Sequence, residues 1–478
     1  MFDIELPEPA IVATLDDAGL LDAVAATSKL ESAIQARRFS AIGELWERRK
    51  RAAAPEHEYF LIDTWEEVAA EIAAAVGVTS WRAAGLMRIA EALRERLPKV
   101  AAVFGDGDID LRIVSMIVYR TELIEDAGMM ANVDGALARR ARRWAKLSRP
   151  KIAQLVDGWV ERFDPEGVRA PRKYEESRYL EIDETGAGMA GIWGNVHAPD
   201  AAALDKRLDQ LAATVCPNDP RTQAQRRADA VRALAGRKAR MQCMCGSPNC
   251  TGEPVKPSGD VVIHVLAESA TVEGNNDNPG YVPGFGPLPA DALRELAKSA
   301  RLKPLIVPKD APPEKGYRPS VALADFVRFR DLTCRFPGCD CPAEFCDIDH
   351  TIPYDVSRLT HPSNLKCVCR KHHLLKTFWN GEHGWRDRQL PDGTVIWTAP
   401  TGQRYTTYPA SLHLFPSLCE PTATLWTGDA PVAELSGERG VMMPRRRHTR
   451  AHTAAKAIAA ERRLNDPYVA ERNKPPPF

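Results

Sequence analysis

Two short pairs of sulfur- and nitrogen-bearing side chains, Cys334/Cys339 and Cys369/His372, constrain this chain more than any other feature. Six of its 11 cysteines fall between Cys334 and Cys369, and three more are Cys243, Cys245 and Cys250. Clustering of this kind, in a chain with no visible secretory leader, reads as metal ligation rather than a disulfide framework. The spacings suit a tetrahedral zinc ion. Cys334 and Cys339 flank a turn containing Pro337 and Gly338, and Cys369 and His372 stand at i and i+3 on a helix expected to begin near Asn364. Zinc would supply order that so short a segment cannot draw from a core. Cys341, Cys346 and Cys367 compete as ligands, so spacing alone leaves the set of four open. Cys243, Cys245 and Cys250 offer three thiols: either a second zinc site with another ligand, such as Cys216, or an unmetallated turn-rich loop. Cys216 and Cys419 otherwise read as small buried hydrophobes.

Between the two pairs lie Asp349, His350, Asn364 and His373. A carboxylate with imidazoles suits a hard or borderline divalent cation. Phosphodiester hydrolysis needs an activated water, an ion that stabilises charge on phosphorus, and groups that orient both. His350, with an ordinary pKa near 6.5, is the expected general base, and Asp349 the holder of Mg²⁺ or a similar ion. Successive strand residues point to opposite faces, so serving one centre requires a bend or bulge at Asp349–His350. His373 is turned about 100° from His372 on a helix, so one can face the catalytic ion and the other zinc. The plainer alternative leaves Asn364 as a helix cap and both histidines to zinc.

At 478 residues the chain has room for roughly three domains. Its 64 basic and 64 acidic residues cancel, which argues against a strongly basic nucleic-acid coat protein. Two basic runs stand out, Arg139–Lys151 and Arg445–Arg450, and each reads as a phosphate-binding stretch or as a solvated face and tail. Apolar runs such as Ile72–Val78 are far too short to span a bilayer, and the acidic N-terminus lacks a leader pattern, so no membrane contact and a cytoplasmic location are expected. The fold class expected is α+β. Residues 1–175 read as helical, with a cap at Ser80 before Leu86, Ile89, Ala90 and Leu93, and another at Asp110. Residues 176–302 read as α+β, with a hairpin of Tyr179–Asp183 and Met189–Val196, a helix from Ala198, and a buried strand at 260–266. A Pro-rich stretch, 303–319, reads as a linker or covering loop. The chemistry-bearing module spans 320–408, and 409–478 reads as a basic, poorly ordered tail apart from a helix near Ala454–Leu464.

In order, the residues Cys…Cys, Asp349-His350, Asn364-Leu365, Cys369-Arg-Lys-His372-His373 and Lys376 resemble the HNH endonucleases. That resemblance implies a ββα-metal fold, a β-hairpin packed on a helix around one catalytic ion. It makes His350 the base, Asn364 a residue that braces the loop or ligates the ion, and His373 and Asp349 ion ligands. Here the first cysteine pair is spaced x4 rather than x2, His372 stands where a second cysteine is usual, and Ser357–His361 replaces the glycines before the Asn. Cys334-Arg-Phe-Pro-Gly-Cys339, Leu390–Thr394, Trp397–Gly402 and the Arg221–Ala230 run are similar to the actinobacterial thirteen-E-twelve repeat family. In that family a domain of unknown function 222 precedes an HNH module. The function expected is DNA cleavage with a His base, one Mg²⁺-like ion and a structural Zn²⁺. A homodimer, or two successive nicks, would be required for double-strand cutting. The alternative is a non-catalytic, zinc-stabilised DNA-binding protein of a mobile or repetitive element.

Overall fold

A computed structural model describes residues 9–145, 147–169, 178–186, 188–196, 198–248, 250, 264–298, 300–379, 384–426 and 442–474. The chain divides into two compact units, one of residues 1–171, 308–410 and 419–478, the other of 172–307 and 411–418.

The first unit begins with helices α1 (Asp17–Ala52), α2 (Thr64–Val76), α3 (Ser80–Glu95), α4 (Pro98–Gly105), α5 (Leu111–Thr121), α6 (Ala127–Ala141) and α7 (Arg149–Phe163). Side-chain caps start most of them. Asp63, Asp110 and Asp126 each accept a backbone N–H three residues on, satisfying a donor the helix cannot pair itself. The cap of α3 is Thr79, which accepts from Arg82 N–H, and not Ser80. The start of α4 is capped from afar: buried Asp134 accepts from the N–H groups of Lys99 and Val100, both at 3.0 Å. Gly77, in the left-handed region (φ 71°), ends α2 and sets the turn into α3. The apolar stripes converge in one core containing Val68, Met87, Leu97, Phe104, Ile113, Ile117, Val133 and Val156.

In the second unit, β1 (Tyr179–Gly186) and β2 (Met189–Asn195) form the expected antiparallel hairpin. Helix α8 (Ala198–Ala212) follows, then α9 (Gln223–Ala235), opened by a capping box of Thr222 and Gln225. A short ladder of β3 (Gly280–Val282) and β4 (Gly286–Leu288) leads to α10 (Ala290–Ala297). Of the strand expected at 260–266, positions 260–263 lie outside the described residues, and Leu266 bridges Tyr281.

The chain then returns to the first unit. The segment 308–319 lies along the later hairpin: Glu314 bridges Thr360, and Ala311 O meets the His361 ring. Helix α11 (Val321–Asp331) precedes the antiparallel strands β5 (Cys346–His350) and β6 (Leu365–Cys369), which lead directly into α12 (Arg370–Phe378). The helix expected from Asn364 therefore starts six residues later, because the run Leu365–Cys369 is taken up by the ladder to β5. A meander of β7 (Arg386–Gln389), β8 (Val395–Thr398) and β9 (Arg404–Thr407) closes this part.

The helix expected near Ala454–Leu464 is present, and over the rest of 442–474 the tail departs from the expectation of poor order. Arg446 and Arg450 both reach Asp63, and Arg450 also reaches Glu66. Helix α13 (Arg450–Arg462) ends with Arg462 bound to Asp164 and Glu166. Arg446 and Arg450, in a run that reads as phosphate-binding or as solvated tail, are matched by acids some 380–390 residues earlier, a pairing that local pattern does not reveal. Within the other basic run, Arg142 pairs with Asp106 and Asp108.

Candidate metal centre and hairpin site

Cys334, Cys339, Cys369 and His372 converge so that their ligand atoms all lie within 4.8 Å of one another, a group that could hold a metal ion. The first two stand on a knuckle between α11 and β5. Gly338 there adopts φ 72° and packs so tightly on the α2–α3 turn that a Cβ would collide with the Val78 carbonyl. Cys369 is the last residue of β6, and His372 sits in the first turn of α12. His372 Nδ1 lies 3.2 Å from Cys369 Sγ and 3.6 Å from Cys334 Sγ, while its Nε2 meets Ser80 Oγ at 3.1 Å. The ring also stacks on Phe336, with centroids 4.0 Å apart. Nδ1 thus faces the sulfurs and Nε2 is held from the helical domain, the outer-sphere arrangement that fixes a ligating imidazole. S–H groups of Cys334 and Cys339 hold the Cys369 thiol far below its ordinary range. Burial pushes Cys334 up, and the neighbouring Cys334 and Cys369 sulfurs push Cys339 up. Of the competing ligands, Cys346 turns to Pro342 O and Cys367 to Val327 O.

A buried ionic frame holds the knuckle on the hairpin. Asp331 accepts from Arg330, Arg335 and the Cys367 N–H. Arg330 also donates to Pro362 O and Leu365 O, and Arg335 to Gly393 O and Thr407 O. Every guanidinium has several acceptors, which is what makes burial of such charge tolerable.

On the hairpin, Asp349 and His373 come together: Asp349 Oδ1 is 3.5 Å from His373 Nε2. The other ring nitrogen, Nδ1, lies 2.8 Å from Asp347 Oδ2. Asp347 and Asp349 share a strand face by alternation, so the first orients the ring that the second faces. The second oxygen of Asp349 accepts from Lys366 (2.9 Å) and Lys376 (2.6 Å), and Asp387 meets the same lysines at 2.6 and 3.3 Å. Burial alone would raise the Asp349 carboxyl, but Lys366, Lys376 and His373 outweigh it and hold it well below the usual range.

His350 has different neighbours. The ladder runs unshifted through Asp349↔Lys366 and His350↔Leu365, so the bulge expected between the two residues is absent. The His350 ring meets Thr360 Oγ1 at 3.0 Å and stacks on Tyr317. Thr360 spends its single hydroxyl hydrogen on Gly316 O (2.6 Å), so His350 Nε2 must be the donor and Nδ1 carries the lone pair. Burial lowers its pKa to about 4, so the ring is neutral at pH 7. Lys376 links the two neighbourhoods, reaching Asp349 Oδ2 and also the His350 carbonyl at 2.7 Å. Asn364 is not a helix cap, and its side chain bonds to the loop rather than to Asp349. Its Oδ1 accepts from Ile352 N–H, and its Nδ2 donates to Ile352 O and Leu359 O, bracing the 352–359 loop.

Sequence reasoning passed over Asp347, although Asp-Ile-Asp on a strand puts two carboxylates on one face. Nothing local marks Ser80, Thr360 or Asp387, whose roles come from tertiary contact.

A family model described as "Domain of unknown function (DUF222)" matches residues 26–331, ending just before Cys334. Uncharacterized protein Rv3776 of Mycobacterium tuberculosis is 46% identical across 100% of this chain and 95% of its own length. Uncharacterized protein Rv2100 of the same organism is 44% identical, across 100% and 93%. No solved structure matches. Among the described residues, no helix is long and apolar enough to cross a membrane.

Proposed function

The chain belongs to the DUF222 family, and from that footing we propose that its hairpin-and-helix module is an HNH-type, metal-dependent endonuclease that hydrolyses DNA phosphodiester bonds. The observation that carries this reading is the fixed tautomer of His350. Its Nε2–H is committed to Thr360, which leaves an unprotonated Nδ1 to take a proton from water at neutral pH. Asp349 Oδ1 and His373 Nε2, 3.5 Å apart, offer a two-point hold for a divalent ion, with Asp347 fixing the ring. Such an ion, when bound, stabilises charge developing on the phosphate oxygens. Lys376 fixes Asp349 against the end of β5, and Asn364 keeps the following loop in shape. Cys334, Cys339, Cys369 and His372 form a closed set of soft donors suited to structural zinc.

A second reading is favoured by two observations: Asp349 and Asp387 are already neutralised by Lys366 and Lys376, and the unshifted ladder turns Asp349 and His350 to opposite faces of β5. Under it, the module is a zinc-stabilised DNA-binding element without catalysis. Incubating supercoiled plasmid with the full chain across Mg²⁺ and Mn²⁺ separates the two. Nicked circles support the nuclease, whereas a mobility shift with no nicking under either ion supports the second reading.

A further inference from the structure

In the second unit, Cys216, Cys243, Cys245 and Cys250 converge, with all four sulfur atoms within 4.8 Å of one another. We propose that they form a second zinc site, built of four thiolates, that locks the α8–α9 pair to the loop after it. Cys216 is the ligand that sequence spacing leaves unassigned. It comes from 27 residues upstream, and its sulfur lies 3.4 Å from that of Cys243.

Hydrogen bonds that involve no sulfur bring the two segments together. Asp219 accepts from the N–H groups of Arg221 (3.1 Å) and Met244 (2.9 Å). Arg221 donates to Asp219 and to Gln242 O, each at 2.8 Å, and Thr214 Oγ1 accepts from Met241 N–H at 2.9 Å. Residues 241–244 are therefore pinned to 214–221 independently of the thiols. Gly246, at φ 68°, reverses the chain, and the Cys250 N–H donates to Ser247 O to bring the last sulfur back.

Two further facts favour a metal over simple packing. All four cysteines are only half-buried, whereas cysteines acting as hydrophobes are among the most completely buried residues. Among the described residues, the local core holds five buried side chains, Leu211, Val215, Ala230, Ala233 and Met241, too few to order this region alone. Four soft sulfur donors in a compact cluster suit a d¹⁰ ion in tetrahedral geometry, and with all four positions filled the site is structural. Binding exchanges the four thiol protons, released to solvent, for one Zn²⁺.

The test is zinc stoichiometry on the reduced, full-length chain by mass spectrometry. Two zinc ions per wild-type chain are expected, with one in Cys245→Ser and one in Cys369→Ser. If Cys245→Ser fails to fold, cobalt-substituted wild type gives the same answer. Its thiolate-to-cobalt absorption should reflect seven sulfur ligands rather than three. One zinc per wild-type chain, unchanged in Cys245→Ser, would overturn the proposal. So would a cobalt spectrum of three thiolates.

Discussion

Replacing Asp349 with Asn keeps the volume and removes one charge from a buried quartet. Asp349 and Asp387 balance Lys366 and Lys376 at separations of 2.6–3.3 Å, and Lys366 is fully buried. In Asp349→Asn, two ammonium groups share one carboxylate, leaving a net positive charge inside. Breaking such a buried arrangement costs about 3–5 kcal/mol. At roughly 2 °C per kcal/mol for a large unit, the melting temperature should fall by about 6–10 °C. The double variant Asp349→Asn/Lys366→Met restores neutrality with the Lys376–Asp387 pair and should recover more than half the loss, a coupling measurable by a double-mutant cycle. The sign with pH follows from the depressed Asp349 carboxyl: its stabilisation is present above the ordinary carboxylate range and is lost as pH falls below it. Thermal unfolding by circular dichroism at pH 7 measures both variants. A single variant within about 0.5 kcal/mol of wild type, or a double variant no better than the single, would refute the reasoning.

Ser80→Ala should weaken metal retention at the Cys334 cluster by about 10–100-fold in chelator competition, since it removes the partner of His372 Nε2; unchanged retention would show the hydroxyl to be incidental. Asn364→Ala should destabilise by about 1–3 kcal/mol through unpaired backbone groups at Ile352 and Leu359, read by urea denaturation. His350, neutral in the fold with its pKa near 4, stabilises fully above about pH 6.5, and this contribution is lost as pH falls towards 4. The stability difference between wild type and His350→Gln should therefore shrink over that window, and a constant difference would contradict the burial argument.

Much of the architecture was legible because it is local. Helix caps at Asp110 and the hairpin of Tyr179 and Met189 are written in adjacent residues. The metal ligands were legible as pairs, since their chemistry is a matter of residue type and spacing, yet Cys341, Cys346 and Cys367 could be set aside only once the knuckle's path was known. The start of α12 was misplaced because Leu365–Cys369 reads equally as strand or helix without its partner β5. What the sequence hid is long-range: Ser80 on His372, Arg450 on Asp63, and Thr360 on His350. Each joins residues through folding alone, and no periodicity encodes it.

The proposed cleavage depends on His350 as the base. Nicking of supercoiled plasmid in Mg²⁺ should be lost in His350→Ala while zinc bound per chain stays at the wild-type value. Equal nicking by the two proteins would contradict it.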